Sequence, residues 1–112
     1  MVYLLRNTAT SHIKIGYSKD PRERLRTLQT GSAGKLALEY VIENVDMSFE
    51  QFMHEICQRY RISGEWFQGN VIEDHLLKHP WYAEHLKPYR TWLKEKRNAT
   101  DQSDNDSASI ES

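Results

Sequence analysis

Apolar and polar positions alternate first over residues 2–6, with Val2 and Leu4 on one face of a strand and Tyr3 and Leu5 on the other. They alternate again over 13–17, where Ile13, Ile15 and Tyr17 oppose Lys14 and Gly16; the polar, turn-like stretch between predicts an antiparallel hairpin. Asp20-Pro21-Arg22-Glu23 predicts a helix start, with Asp20 as cap, Pro21 at the first helical position and Glu23 closing a capping box. Leu25 and Leu28 give that helix a thin apolar face, and Gly31 marks its end. A third strand is predicted where Leu36, Leu38, Tyr40 and Ile42 alternate with Ala37, Glu39, Val41 and Glu43. Ser48 with Gln51 then signals a second helix, whose stripe of Phe49, Phe52, Met53, Ile56, Cys57 and Tyr60 is expected to pack on the sheet.

Gly64-Glu65-Trp66-Phe67 follows as a short aromatic segment after a turn. Asn70 with Glu73 starts a small helix that Pro80 stops, and residues 81–97 are helical in pattern with a break at Pro88. Trp81, Leu86, Tyr89, Trp92 and Leu93 recur at helical spacing and are expected to dock this extension. The fold class is therefore α/β of the α+β kind: a small three-stranded antiparallel sheet flanked by helices, in the order strand–strand–helix–strand–helix. The divisions are a core over 1–68, a helical extension over 69–97 packed on it, and a tail over 98–112.

With 112 residues the chain is one domain with a short appendage. Residues 98–112 hold a single Ile and no Lys or Arg, too little apolar surface to offset the entropy of ordering, so a disordered acidic tail is expected. The tail hides a charge asymmetry. All 15 Lys and Arg precede it while it holds Asp101, Asp104, Asp106 and Glu111, so the whole chain is −1 but residues 1–97 are about +3 and residues 1–38 about +5. A basic half attracts polyanions. Cys57 is the one cysteine, which leaves no internal disulfide and fits a reducing, cytoplasmic setting. No apolar run reaches the length of a membrane span.

The order of particular residues carries more than the composition does. Met1-Val2-Tyr3 is followed by Lys14-Ile15-Gly16, Asp20-Pro21, Arg24-Leu25, Leu28-Gln29-Thr30, Glu50 with His54 four residues on, and Gly64-Glu65-Trp66-Phe67. This series resembles the GIY-YIG nuclease superfamily over residues 1–68, in its stand-alone phage- and bacterial-type branch, with Lys-Ile-Gly where the second tyrosine signature is expected. The resemblance implies metal-assisted cleavage of a DNA phosphodiester, with Tyr3 as general base, Arg24 as phosphate binder and Glu50 as ligand of one Mg²⁺ or Mn²⁺.

The chemistry asks for the same residue types. An arginine fork suits phosphate oxygens, and a carboxylate suits a hard divalent cation. A free tyrosine titrates near about 10, so Tyr3 needs nearby cations to lower that value if it is to act as a base near neutrality. Lys14, on the strand face of Tyr3, is such a cation and is assigned to the catalytic set with Tyr3, Arg24 and Glu50. Gly16 is expected to admit a close backbone approach by substrate. Lys19, Arg22 and Arg26 read as DNA-backbone contacts or solvated charges. His54, one turn from Glu50, is grouped with them on the substrate side, as a hydrogen-bonding neighbour or a sharer of the metal. Glu65 stays open between orienting Arg24 and a structural role.

His75 and His79 have a zinc-like spacing but no further ligands in view, and Cys57 lies in an apolar stripe. DNA is the expected partner, with no membrane. A double-strand break by one active site would need a homodimer or two visits, and specificity could come from a recognition partner protein. The alternatives are a module that binds nucleic acid without cutting it, and a regulatory protein using the fold as a scaffold.

Overall fold

A computed structural model describes residues 1–99. The tail expectation therefore falls outside the described residues from 100 onward, and residues 98 and 99 belong to a helix. The hairpin is as the alternation predicts: β1 (Val2–Asn7) and β2 (Ile13–Tyr17) pair antiparallel, Tyr3 opposite Gly16 and Leu5 opposite Lys14. Helix α1 (Pro21–Thr30) follows, capped by Asp20, whose carboxylate accepts from the Arg22 and Glu23 amides. No reciprocal bond from Glu23 closes a capping box; the Asp20 amide donates to Ser18 Oγ instead. Gly31 ends the helix at φ −97°, so the left-handed freedom of glycine is not used there.

Strand β3 (Leu36–Ile42) pairs with the other edge of β1, and its alternation breaks in the middle. Leu5 faces Leu38 and Leu4 faces Tyr40, so Glu39 is an extra residue, a β-bulge. The bulge changes the phase of the strand. Leu36 and Leu38 lie with Val41, Tyr3 and Leu5 on one face, while Ile42 and Tyr40 join Val2, Leu4, Ile13 and Ile15 on the other. Both faces of β1 are thereby buried.

Helix α2 (Met47–Ile56) is capped two residues earlier than Ser48 and Gln51 predict. Asp46 is the cap, accepting from the Ser48 and Phe49 amides. Its sheet-facing residues are Glu50, Met53 and His54, continued by buried Cys57, whereas Phe52 is exposed. Phe49 turns sideways, its ring 5.4 Å from that of Trp81 and 6.2 Å from that of Tyr82. The aromatic part of the predicted stripe thus serves a helix–helix seam, and the face against the sheet carries two ionisable side chains.

A 3₁₀ turn, Gln58–Tyr60, leads to β4 (Arg61–Ser63) and β5 (Trp66–Phe67), a small hairpin turned by Gly64 at φ +54°, a conformation that favours glycine. A π-helical turn, Ile72–Leu76, precedes α3 (Pro80–His85). Pro80 begins that helix rather than stopping the one before it, since proline at a first helical position forfeits no hydrogen bond. Leu86 is then extended, as are Lys87–Pro88, which form β6 against β3 at Val41 and Tyr40. A residue before proline is pushed out of the helical region, which is why the break becomes a strand. The final helix, α4, spans 89–99.

The sheet consequently has six antiparallel strands in the order β4–β5–β2–β1–β3–β6, not three. The three long strands are the expected ones, and the additions are two- and three-residue edges with too little alternation to read from sequence. One face packs on α2 and α3, with Val71, Ile72 and Leu76 between them; the other carries α1 and α4 through Leu25, Leu28, Trp92 and Leu93. The extension after residue 68 therefore supplies both a strand and core residues on each side of the sheet. No helix among the described residues is long and apolar enough to cross a membrane.

Candidate active site

The β5 strand stops pairing with β2 at Trp66, and Glu65 closes the contact by accepting the Ile15 amide through its carbonyl at 3.0 Å. At this notch in the sheet edge α2 comes in from one layer, and the Tyr3–Lys14 face of the hairpin meets it. Buried His54 donates from Nε2 to the Ile15 carbonyl at 2.8 Å. While that bond holds, Nε2 has no lone pair to offer a cation. One turn back on the same helix, Glu50 Oε1 lies 3.6 Å from His54 Nε2.

Glu50 is 5% exposed and Glu65 faces it. Burial and then the Glu65 carboxylate push Glu50 up to about 7, against the pull of Lys14 and Arg24. Burial acts on Glu65 in the same sense, yet the Lys14 ammonium and the Glu50 carboxyl together hold it below the usual range. Lys14 Nζ is 2.6 Å from Glu65 Oε2 and 5.7 Å from the centre of the Trp66 ring. Two carboxyls thus share one ammonium and one proton, a consequence of packing like charges together away from water. Glu50, His54 and Glu65 each present a ligand atom within 4.8 Å of the others, the one such group among the described residues.

Tyr3 lies beside this pair. Its ring covers Gly16 so closely that a Cβ there would fall 2.3 Å from Tyr3 Oη. The space at Gly16, expected to admit substrate, is filled by the phenol. Burial raises the Tyr3 hydroxyl above its ordinary value, and the facing Arg24 guanidinium only partly opposes this. The expectation that cations lower Tyr3 is therefore reversed, because the ring is 1% exposed and Glu50 and Glu65 add negative charge nearby.

Of the sequence-predicted residues, Tyr3, Lys14, Gly16, Arg24, Glu50 and His54 come together here. Lys19 and Arg26 are exposed and outside the cluster, and Arg22 points to α4, its guanidinium 5.8 Å over the Trp92 ring. Glu65 is a member that the sequence left open. Its signal was the lysine in the Lys-Ile-Gly segment, a partly buried cation that calls for a carboxylate partner. His75 bonds the Ile56 carbonyl and His79 caps α3, which gives both a structural place. Cys57 is buried, its thiol pushed up to about 12.

A six-stranded antiparallel sheet with a carboxylate pair, a phenol and an arginine at one notch defines the fold and the site. Residues 1–93 match the T5orf172 domain, and the chain belongs to that family. No curated protein and no solved structure matches the chain.

Proposed function

We propose that this chain is a divalent-metal-dependent DNA endonuclease of the GIY-YIG type, cutting phosphodiester bonds at the cluster of Tyr3, Lys14, Arg24, Glu50 and Glu65. One observation supports it above the rest: buried Glu50 faces the half-buried Glu65 carboxyl beside an arginine and a phenol, and Glu50 holds a proton up to about pH 7. The donor set fits a hard cation. Oxygen ligands suit Mg²⁺ or Mn²⁺, and a bound ion would replace the proton that now relieves the repulsion between Glu50 and Glu65. Such an ion supplies charge neutralisation at the phosphoryl oxygens and a more acidic bound water.

The remaining roles belong to the chain itself. Arg24 offers paired N–H donors to the non-bridging oxygens. Tyr3 keeps its proton in the free protein, so Oη orients the attacking water, and Arg24 is the charge that favours giving the proton up. Lys14 neutralises Glu65 and sits on the Tyr3 face of the sheet, within the field of the incoming phosphate. His54 fixes the turn of α2 that carries Glu50 by its bond to Ile15.

Supercoiled plasmid incubated with Mn²⁺ tests this reading. Wild type should nick or linearise it, EDTA should stop the reaction, and Glu50→Ala, shown by circular dichroism to be folded, should be inactive. Equal activity in both proteins would remove the hydrolytic assignment. Salt-dependent DNA binding with no cleavage under any divalent ion would instead favour a non-catalytic binding module.

A further inference from the structure

We propose that α4 is the second half of the nucleic-acid surface, with Arg90, Lys94 and Arg97 following the phosphate backbone beyond the point of cleavage. The proposal rests on the endonuclease reading of the site and adds to it the segment that holds the substrate.

Arg90, Lys94 and Arg97 recur at four and three residues, so they form one stripe that rises about 10 Å along the helix. All three are exposed, and no carboxylate of the described residues forms an ion pair with them. The acidic groups nearby are already engaged: Lys87 lies 2.7 Å from Glu43 and 2.9 Å from Glu95. The opposite side of α4 is anchored. Trp92 is buried in the cluster that contains Tyr3, and the Tyr89 ring stacks on it at 5.7 Å.

Through this anchor the stripe connects to the site. Arg22 lies over Trp92, and Arg24, two residues along α1, faces the Tyr3 hydroxyl. Burial raises the Tyr89 hydroxyl, while Arg22 from α1 and Arg97 from α4 pull it the other way against Asp20, so both helices contribute cations to the field around it. A band of cations thus runs from the Tyr3–Arg24 edge across α1 to the end of α4, on one side of the sheet. Arg59 and Lys78 belong to the other side, beside α2 and the π-helical turn. A polyanion with regularly spaced charges fits such a band better than a compact anion does.

The test is fluorescence anisotropy with a 20-base-pair duplex in EDTA, from about 50 to 200 mM salt, the range over which counterion release dominates. The variants are R90A/K94A/R97A and, for the other face, R59A/K78A. Each phosphate contact contributes about 0.9 to the slope of log K against log salt, so the triple variant should bind more weakly with a slope shallower by about two to three. The R59A/K78A slope should stay at the wild-type value. If the triple variant melts differently, the single changes K94Q and R97Q should each flatten the slope by about 0.9. A wild-type slope in the α4 variants overturns the inference while wild-type cleavage keeps the site assignment. A wild type that neither binds nor cleaves duplex removes both.

Discussion

One methyl group added at Gly16 tests how the hairpin holds its phenol. An alanine Cβ would lie 2.3 Å from Tyr3 Oη, 2.4 Å from Cζ and 2.8 Å from Cε2. Carbon atoms rest at about 3.5–4.0 Å, so the ring must retreat by about an ångström. It has little room, because Tyr3 is packed in the same cluster as Leu5, Val41 and Trp92, all buried. Overpacking of this kind costs about 1–3 kcal/mol. For a domain of this size that is a drop of about 5–20 °C in melting temperature. Cleavage should suffer as well, since an ångström of misplacement at a reacting group costs on the order of 100-fold. Thermal melts and single-turnover plasmid cleavage on Gly16→Ala, Tyr3→Leu and the double variant make the measurement. Leucine has no atoms where Oη, Cζ and Cε2 stand, so in that background the alanine should be nearly neutral, or stabilise by about 0.4–1 kcal/mol through the unfolded chain. An equal penalty in both backgrounds, or full cleavage by Gly16→Ala, would refute the steric argument.

Stability should peak at mildly acidic pH when no divalent ion is added. The native state keeps a proton on Glu50 that the unfolded chain loses from 4.5 upward, so stability falls as pH rises from there to about 7. Glu65 is shifted the other way, and its contribution is lost as pH falls below the ordinary glutamate range. Urea denaturation from pH 4 to 8 should show both limbs, and Glu50→Gln should flatten the upper one; an unchanged upper limb would deny the shared proton. Calorimetric titration with Mn²⁺ should release up to one proton near pH 6, with affinity rising about tenfold per pH unit below 7. Affinity independent of pH would mean that Glu50 is not a ligand. Deleting Glu39 should leave one cooperative melting transition, because the shortened β3 keeps every side chain on its present face, whereas deleting Val41 should abolish it. Cooperative melting of both deletions would show that the register is not set by these faces.

The strands were legible where a two-residue period met burial, as in Val2 to Leu5 and Ile13 to Tyr17. In β3 the same period was readable but its phase was not. A bulge is decided by the partner strand, and Glu39 looks like any outward residue until β1 is laid beside it. Helix α2 misled for another reason. Phe49, Phe52 and Ile56 are the more hydrophobic residues, yet the face against the sheet holds Glu50 and His54, whose burial is made tolerable by Ile15 and Glu65 rather than by apolarity. Tyr3, Lys14, Arg24 and Glu50 were legible as an ordered series. Glu65 closed that series but its role stayed open, since its ion pair with Lys14 spans 51 residues and it lies just before a two-residue strand.

The bond from His54 to the Ile15 carbonyl also closes part of an open sheet edge. Among the described residues no strand pairs with β2 on that side beyond Lys14, and a bare strand edge is a template for another chain. The imidazole takes the Ile15 carbonyl, so that acceptor is not offered to an incoming strand. A substitution at His54 would therefore be felt in purification before it is felt in an assay, as soluble protein lost to sheet extension.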